Sequence, residues 1–231
     1  MKVDRFDYTE NYFGDLCLIT THDKFNTPKG PCVVWKKDRG GKFQVVYKQG
    51  NVLDELLFEE LGINYLIRPL RHPSGGLFMD AYEVRRRLIK ESMGKKVLNL
   101  FSFTCSLSVA ALKGGAELVR NVDTSRSVLN WGKENHELNK LKGGRFVEEE
   151  ALHFLRRDEK YDLIILDPPA FGRSKRGSFR LEKQGNELLD RAKEKLTDKG
   201  SIIFLHHDQN FKVKGKPFFE GGSLRAFHSK P

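Results

Sequence analysis

Four acids close short runs in the second half of the chain: Asp123 after Leu118–Val122, Glu150 after Arg145–Val147, Asp167 after Tyr161–Leu166 and Asp208 after Ser201–Leu205. A carboxylate at the tip of a buried strand can accept two hydrogen bonds from a ribose diol. Aligned along one edge of a parallel sheet, such groups mark the place of a nucleotide-like ligand. Asp167 is followed by Pro168, Pro169, Ala170 and Phe171, which brings a carboxylate, a rigid turn and an aromatic ring together. The ring can stack on a base taken out of its helix. Gly172-Arg173-Ser174-Lys175-Arg176 then offers phosphate contacts. Plainer readings stay open: Asp167-Pro168-Pro169 also suits a strand-ending turn, and the basic run also suits a solvated loop. His206 and His207 are adjacent on an expected strand and point to opposite faces, which argues against a shared metal; no metal site is expected.

The elements that must position these groups can be read in order. Val97–Phe101 is a short apolar run after Gly94-Lys95-Lys96 and reads as a buried strand. Small and polar residues from Ser102 to Ser106 form a turn, Leu107–Leu112 suits a helix stopped by Gly114-Gly115, and Leu118–Val122 is a second strand. The result is a βαβ unit with Asp123 at its tip. Ser125 or Ser127 is expected to cap a helix running to Leu138. Arg145–Val147 is a third strand, Ala151–Arg157 a short helix, and Tyr161–Leu166 a fourth, central strand. Gly185–Leu196 reads as a helix closed by Gly200, Ser201–Leu205 as a fifth strand, and Phe211–Pro231 as the source of a final hairpin. Tyr82–Leu88 should be a helix whose Arg85, Arg86 and Arg87 make a strongly basic face, either gripping phosphates or simply solvated.

Residues 1–72 differ in character and are expected to form a small β-rich accessory unit that binds substrate. Cys32–Lys36 and Phe43–Tyr47 flank Asp38-Arg39-Gly40-Gly41 and read as a hairpin, Leu16–Ile19 and Tyr65–Ile67 as further strands, and Asp54–Leu61 as a short helix ended by Gly62. His72-Pro73-Ser74-Gly75-Gly76 marks a linker into residues 73–231. The chain has 231 residues, 39% of them hydrophobic, a net charge of +10 and a sequence pI near 9.5. That charge suits a polyanion partner or a merely basic protein. No apolar segment is long enough for a bilayer, the first residues are no signal peptide, and Cys17, Cys32 and Cys105 lack zinc spacing. A reducing cytoplasm is the expected compartment.

In sequence order, VLNLFSFTCSLSVAAL, NVDTS, LIILDPPAF with its following SKR, and GSIIF resemble a class I S-adenosylmethionine-dependent methyltransferase. With GLFMDAYEVRRRL ahead of them, they are similar to the bacterial large-subunit (23S) ribosomal RNA methyltransferases, a family that includes 5-methylcytosine and 7-methylguanine enzymes. The resemblance covers roughly residues 60–215. It implies an α/β fold with a doubly wound, mostly parallel seven-stranded Rossmann-like sheet. It implies S-adenosylmethionine as cofactor, held by Phe101, Ser102, Thr104, Cys105 and Ser106 around the methionine part. Asp123, with Thr124 and Ser125, would hold the ribose, Glu150 and Ala151 the adenine, and Phe78 and Asp80 would cover the cofactor. Asp167, Pro168, Pro169 and Phe171 would form the catalytic segment, and Arg85, Arg86, Arg173, Lys175 and Arg176 would contact RNA. Cys105-Ser106 departs from the family's common glycine, the residue that freely accepts positive φ, and Tyr82 stands where arginine is common.

Methylating carbon 5 of a pyrimidine requires covalent activation by a nucleophile, for which the family uses a cysteine after the fifth strand. This chain has His206-His207-Asp208-Gln209 there and Ala170-Phe171 after the fourth strand. A ring nitrogen can meet the methyl group directly, with the protein supplying alignment and electrostatics. The expectation is ring-nitrogen methylation of a base in ribosomal RNA. Two other classes remain: a protein or small-molecule methyltransferase, and a non-catalytic RNA-binding relative. Oligomeric state is not legible.

Overall fold

The computed structural model describes residues 8–174, 177–207, 211, 213, 219–221 and 224–229. Lys175, Arg176 and Asp208 lie outside the described residues. The chain divides into two compact units, Met1–Met79 and Asp80–Pro231.

In the first unit, β1 (Tyr8–Phe13), β2 (Leu16–Thr21), β3 (Cys32–Lys37) and β4 (Phe43–Gln49) form a sheet in that order. β2 and β3 run parallel, and the outer pairs are antiparallel. Cys17, Ile19, Cys32 and Val34 make a small core. Asp38 closes the β3–β4 turn by accepting the amide of Lys42 at 2.9 Å. The segment expected to be a helix, Asp54–Leu61, contains a strand instead. β5 (Leu56–Glu60) pairs antiparallel with β6 (Ile63–Ile67). The two linking residues, Leu61 and Gly62, have φ of 57° and 69°. Left-handed conformations at both central positions are what a two-residue type I′ turn requires. Burial of alternate residues along β6 confirms the period of two.

The second unit begins with α1 (Tyr82–Glu91). There follow β7 (Lys96–Leu100), α2 (Ser106–Lys113), β8 (Leu118–Asp123), α3 (Arg126–Leu138), β9 (Gly144–Glu148), α4 (Ala151–Phe154) and β10 (Tyr161–Leu166). A hairpin of β11 (Phe171–Ser174) and β12 (Gly177–Arg180) leads to α5 (Leu181–Lys193), β13 (Leu196–His206), β14 (Phe219–Gly221) and β15 (Leu224–Ser229). The order across the sheet is β14-β15-β13-β10-β7-β8-β9. Neighbours from β13 to β9 are parallel, while β15 is antiparallel to β13 and β14 to β15. This is an α/β, mostly parallel, Rossmann-like sheet. Leu98, Leu100, Ile164, Leu166, Ile202 and Phe204 share a core with Phe154, Leu188 and Ala192. Such burial explains why Leu163–Leu166 of β10 read as unbroken apolar residues.

Two boundaries differ from expectation. α5 starts at Leu181 rather than Gly185. Gly200 closes no helix: it lies inside β13, whose register against β10 shifts between Tyr161–Leu196 and Leu163–Ser201. A Cβ at 200 would come within 2.9 Å of the Tyr161 carbonyl oxygen, so the bulged strand needs glycine there. Of the basic stretch after Phe171, Gly172, Arg173 and Ser174 pair with Phe179, Ser178 and Gly177 in the β11–β12 hairpin.

Candidate active site

Because β7, β8, β9 and β10 are parallel neighbours, their carboxyl ends lie at one edge of the sheet. The turn from β7 into α2 contains three left-handed residues that are not glycine: Phe101 (φ 58°), Phe103 (φ 47°) and Cys105 (φ 62°). Each such conformation costs about 1–3 kcal/mol and persists only where the surroundings enforce it. Here the enforcing bonds are visible. The Ser102 amide donates to the Val122 carbonyl at 3.1 Å, and the Cys105 amide donates to the Ser102 carbonyl at 2.7 Å. The Phe103 amide donates to Asp123 Oδ2 at 2.9 Å, and Asn135 Nδ2 of α3 donates to the Thr104 carbonyl at 3.0 Å.

Cys105 is fully buried against α3. A Cβ at Gly132 would come within 2.4 Å of its Sγ, so the glycine in α3 makes room for the thiol. Burial pushes that thiol far above the usual cysteine range, which keeps it protonated.

Asp123 uses both carboxylate oxygens: Oδ2 accepts from Phe103, and Oδ1 accepts from the Ser125 amide at 2.9 Å. Burial raises its pKa, while the amides of Phe103, Ser125 and Thr124 pull it down. A carboxylate has about four acceptor positions, so acceptor capacity remains for an incoming ligand. Ser125 does sit at the N-cap of α3, but its side chain makes no cap bond; its hydroxyl is 3.0 Å from Ser127 Oγ. Glu150 caps α4, its Oε2 accepting the His153 amide at 3.0 Å. Its neighbour Glu149 is buried and pairs with His153 and Arg157.

Asp167 follows β10 and is partly buried. Burial and the Asp80 carboxylate raise its pKa, His207 lowers it, and the balance is pushed up to about 6. His207, just past β13, has Nδ1 3.8 Å from Asp80 Oδ2. Phe171 opens β11 and is 43% exposed, with the Arg180 guanidinium 4.9 Å from its ring centre. Phe179 of β12 packs on Phe101 at 5.1 Å, which ties the hairpin to the β7–α2 turn.

The structure thus brings Asp123, Glu150 and Asp167 to one edge. The arginines of α1 do not form the expected basic face. Arg85 is fully buried, and the other two are ion-paired, Arg86 with Glu83 at 2.6 Å and Arg87 with Glu91 at 2.9 Å. Phe78 belongs to the first unit, where its ring meets His72 edge-on at 6.5 Å. Sequence reasoning missed Gly132, Arg180 and the Asp80–His207 pair. Each becomes visible only once chain-distant elements are placed, and a lone helix glycine carries no signal of the thiol opposite it.

The model of the S-adenosylmethionine-dependent methyltransferase family matches residues 14–216. Ribosomal RNA large subunit methyltransferase K/L of Shewanella oneidensis is 39% identical over 164 residues, 69% of this chain and 23% of that protein. The protein of the same name from Alteromonas mediterranea is 36% identical over 182 residues, 77% of this chain and 26% of that protein. The chain therefore spans about a quarter of the length of these curated relatives. A crystal structure of a protein described as a methyltransferase, complexed with SAH, superposes with a TM-score of 0.76 at 28% identity, covering 89% of this chain and 59% of that one.

The residues present fit the methyl donor. Asp123, at the carboxyl end of β8, offers acceptors suited to a ribose diol. The turn at Phe101–Cys105, with its three left-handed residues, follows β7 at the same edge. When bound, S-adenosylmethionine supplies a methyl group activated on a sulfonium.

Proposed function

The chain belongs to the S-adenosylmethionine-dependent methyltransferase family, and from that premise we propose that it methylates a base of large-subunit ribosomal RNA. The choice of substrate rests on the name shared by its curated relatives. We place the methyl group on a ring nitrogen of guanine rather than on carbon 5 of cytosine. The observation behind this choice is the chemistry at the ends of β10 and β13, where Asp167–Phe171 and His206-His207 include no cysteine. A pyrimidine carbon would need a nucleophile there.

In this reading Asp123, Thr124 and Ser125 hold the ribose, Glu150 and Ala151 the adenine, and Phe101–Ser106 the methionine part. The resemblance also gives Phe78 and Asp80 a cofactor role. Asp167 and the rigid Pro168-Pro169 orient the acceptor base, and Phe171 stacks on it. Arg86 and Arg173, with Lys175 and Arg176, contact phosphates. Arg85 leaves this set because it is buried. β14 and β15 complete a seven-stranded methyltransferase sheet, residues 1–72 act as a substrate-binding unit and residues 73–231 as the methyltransferase domain, and the protein works in the cytoplasm.

The test is methyl transfer from labelled S-adenosylmethionine to 23S ribosomal RNA from a strain lacking the gene, followed by mass spectrometry of the nucleosides. Label on guanosine is the expected result. Label as 5-methylcytosine, or a cysteine-dependent covalent adduct with 5-fluorocytosine-substituted RNA, overturns the nitrogen assignment. Label on protein but not on RNA overturns the substrate class.

A further inference from the structure

The unit Met1–Met79 ends its sheet on β4, the outer strand next to β3. Phe43–Lys48 of this strand are all exposed, and among them Phe43, Val45, Val46 and Tyr47 are 41%, 40%, 44% and 37% exposed. A bulge sets Val34 opposite Tyr47 but Trp35 opposite Val45. Phe43 and Val45 therefore lie on the face of Trp35, and Tyr47 lies on the face of Val34. The ribbon shows apolar surface on both sides, where a half-buried strand would hide one.

The same ribbon carries cations. Residues 36–48 hold Lys36, Lys37, Arg39, Lys42 and Lys48 against the single acid Asp38, a net charge of +4 (five minus one). Asp38 is engaged by the Lys42 backbone amide, and among the described residues no ion pair involves any of the five cations. Lys37 instead places its Nζ 5.4 Å from the centre of the Phe43 ring. On α1, by contrast, Arg86 and Arg87 have carboxylate partners. Unlike Arg86 and Arg87, the five hairpin cations have no carboxylate partner among the described residues, and they are clustered within thirteen residues of one exposed ribbon.

Lysine on an edge strand can serve only to prevent aggregation, but that role needs no exposed aromatic rings beside it. A second copy of the chain, added along the free edge of β4, would bring the two clusters of cations together. A polyanion with stackable bases matches both features: lysines track its phosphates and rings take its bases. We propose that the β3–β4 hairpin is a docking surface for a single-stranded segment of the RNA substrate. The proposal rests on the RNA reading above and adds to it a second contact region, remote in sequence from Asp167.

The test uses the full chain and two probes, a fluorescent 20-nucleotide poly(U) and 23S ribosomal RNA, titrated over a range of salt. Replacing Lys37, Lys42 and Lys48 with alanine together should weaken both and lower the slope of log affinity against log salt by about 2, at roughly 0.7 per lost contact. Phe43→Ala with Tyr47→Ala should weaken binding about tenfold, the scale of a lost base stack, with the slope unchanged. Calorimetric titration with S-adenosylmethionine should give the wild-type affinity in both variants, which shows that they are folded. If either fails that control, the single exposed-turn variant Lys42→Glu decides, with weaker RNA binding expected. Wild-type protein that binds neither probe overturns the RNA reading and this proposal together. Wild-type binding with a steep slope that the variants reproduce overturns the hairpin assignment alone. So do variants that bind RNA normally but shift the sedimentation coefficient, because the surface then serves a second copy.

Discussion

Gly132→Ala is the sharpest test of how the β7–α2 turn is held. The added methyl would lie 2.4 Å from Cys105 Sγ and 3.0 Å from its Cβ, where about 3.5–4.0 Å is comfortable. The thiol cannot swing aside easily, because it is fully buried and its residue is fixed in a left-handed conformation with its amide bonded to Ser102. Overpacking of this kind costs about 1–3 kcal/mol. For a chain of this size each kcal/mol lowers Tm by about 2–4 °C, so the variant should melt roughly 2–12 °C below wild type and bind S-adenosylmethionine more weakly. Cys105→Gly removes both clashing atoms and leaves Thr104 C, at 3.4 Å, as the nearest remaining neighbour. Alone it should be close to neutral, since relief of the left-handed strain, about 1–2 kcal/mol, is offset by the lost thiol burial and the freer unfolded chain. In combination it should rescue Gly132→Ala, giving a coupling of about 1 kcal/mol or more. Thermal unfolding followed by circular dichroism measures the cycle, and calorimetry measures the cofactor. A Gly132→Ala protein that melts with wild type, or a double variant no better than Gly132→Ala, refutes the packing argument.

Asp123→Ala should lower S-adenosylmethionine affinity about tenfold to a hundredfold, from loss of a charge-assisted bond worth about 1.5–3 kcal/mol; wild-type affinity by calorimetry would remove the assignment. Asp167 has its pKa pushed up to about 6 in the folded state, above the ordinary carboxyl value. The native state therefore holds the extra proton in that interval, and the stability it brings, present in full at about pH 4, is lost as pH rises through 6. Asp167→Asn should then melt higher than wild type at pH 8 and level with it near pH 4, while turnover falls strongly; an equal gap at both pH values would show that the carboxyl is not destabilised by its site. Replacing Cys17, Cys32 and Cys105 with serine should preserve turnover at saturating cofactor, and iodoacetamide should leave native Cys105 unmodified because its thiol is buried and protonated. Phe171→Ala should weaken RNA binding by about 1–3 kcal/mol if the ring stacks on an unpaired base, and unchanged affinity would take Phe171 out of the base-binding role.

The parallel core was legible because its strands are buried on both faces and so read as mostly apolar runs without a period of two. Tyr161–Leu166 and Val97–Leu100 need no partner to be recognised. The helix expected over Asp54–Leu61 failed because Leu56, Leu57, Phe58 and Leu61 also satisfy helical spacing, and what decides against it is local. Leu61 has to accept a left-handed φ beside Gly62, and leucine gives no warning of that. Gly200 misled for the opposite reason. A glycine after a charged amphipathic stretch is a normal helix stop, yet here it answers a tertiary demand, the close approach of the Tyr161 carbonyl. Arg85 shows the limit for charge. Three successive arginines read as one basic face, but successive helix residues point about 100° apart, and the packed helix buries one and pairs the others within α1.

The candidate site was readable as a set of acids and not as a mechanical object. Asp123 illustrates the difference. Its position after β8 announces a ligand contact, but the structure gives its carboxylate a second task. The bond from the Phe103 amide holds a turn with three left-handed residues, and the bond from the Ser125 amide starts α3, the helix whose Gly132 receives Cys105. One side chain therefore links the strained turn, the helix behind it and the acceptor capacity left at the sheet edge. Strain of about 1–3 kcal/mol per left-handed residue and an Asp167 carboxyl raised by burial are both unfavourable to folding, and both lie at the same edge of the sheet. The apolar layer of Leu98, Leu100, Ile164, Leu166 and Phe204 beneath that edge is buried almost without exception. At about 1.5–3 kcal/mol for each fully buried side chain of this size, such a layer is large enough to hold the strain in place. A turn and an acid held in this way would need no rearrangement to receive a ligand at that edge. The same reasoning explains how Cys105 can stand in the turn: its left-handed conformation is imposed by the bonds around it and does not have to be intrinsic to the residue.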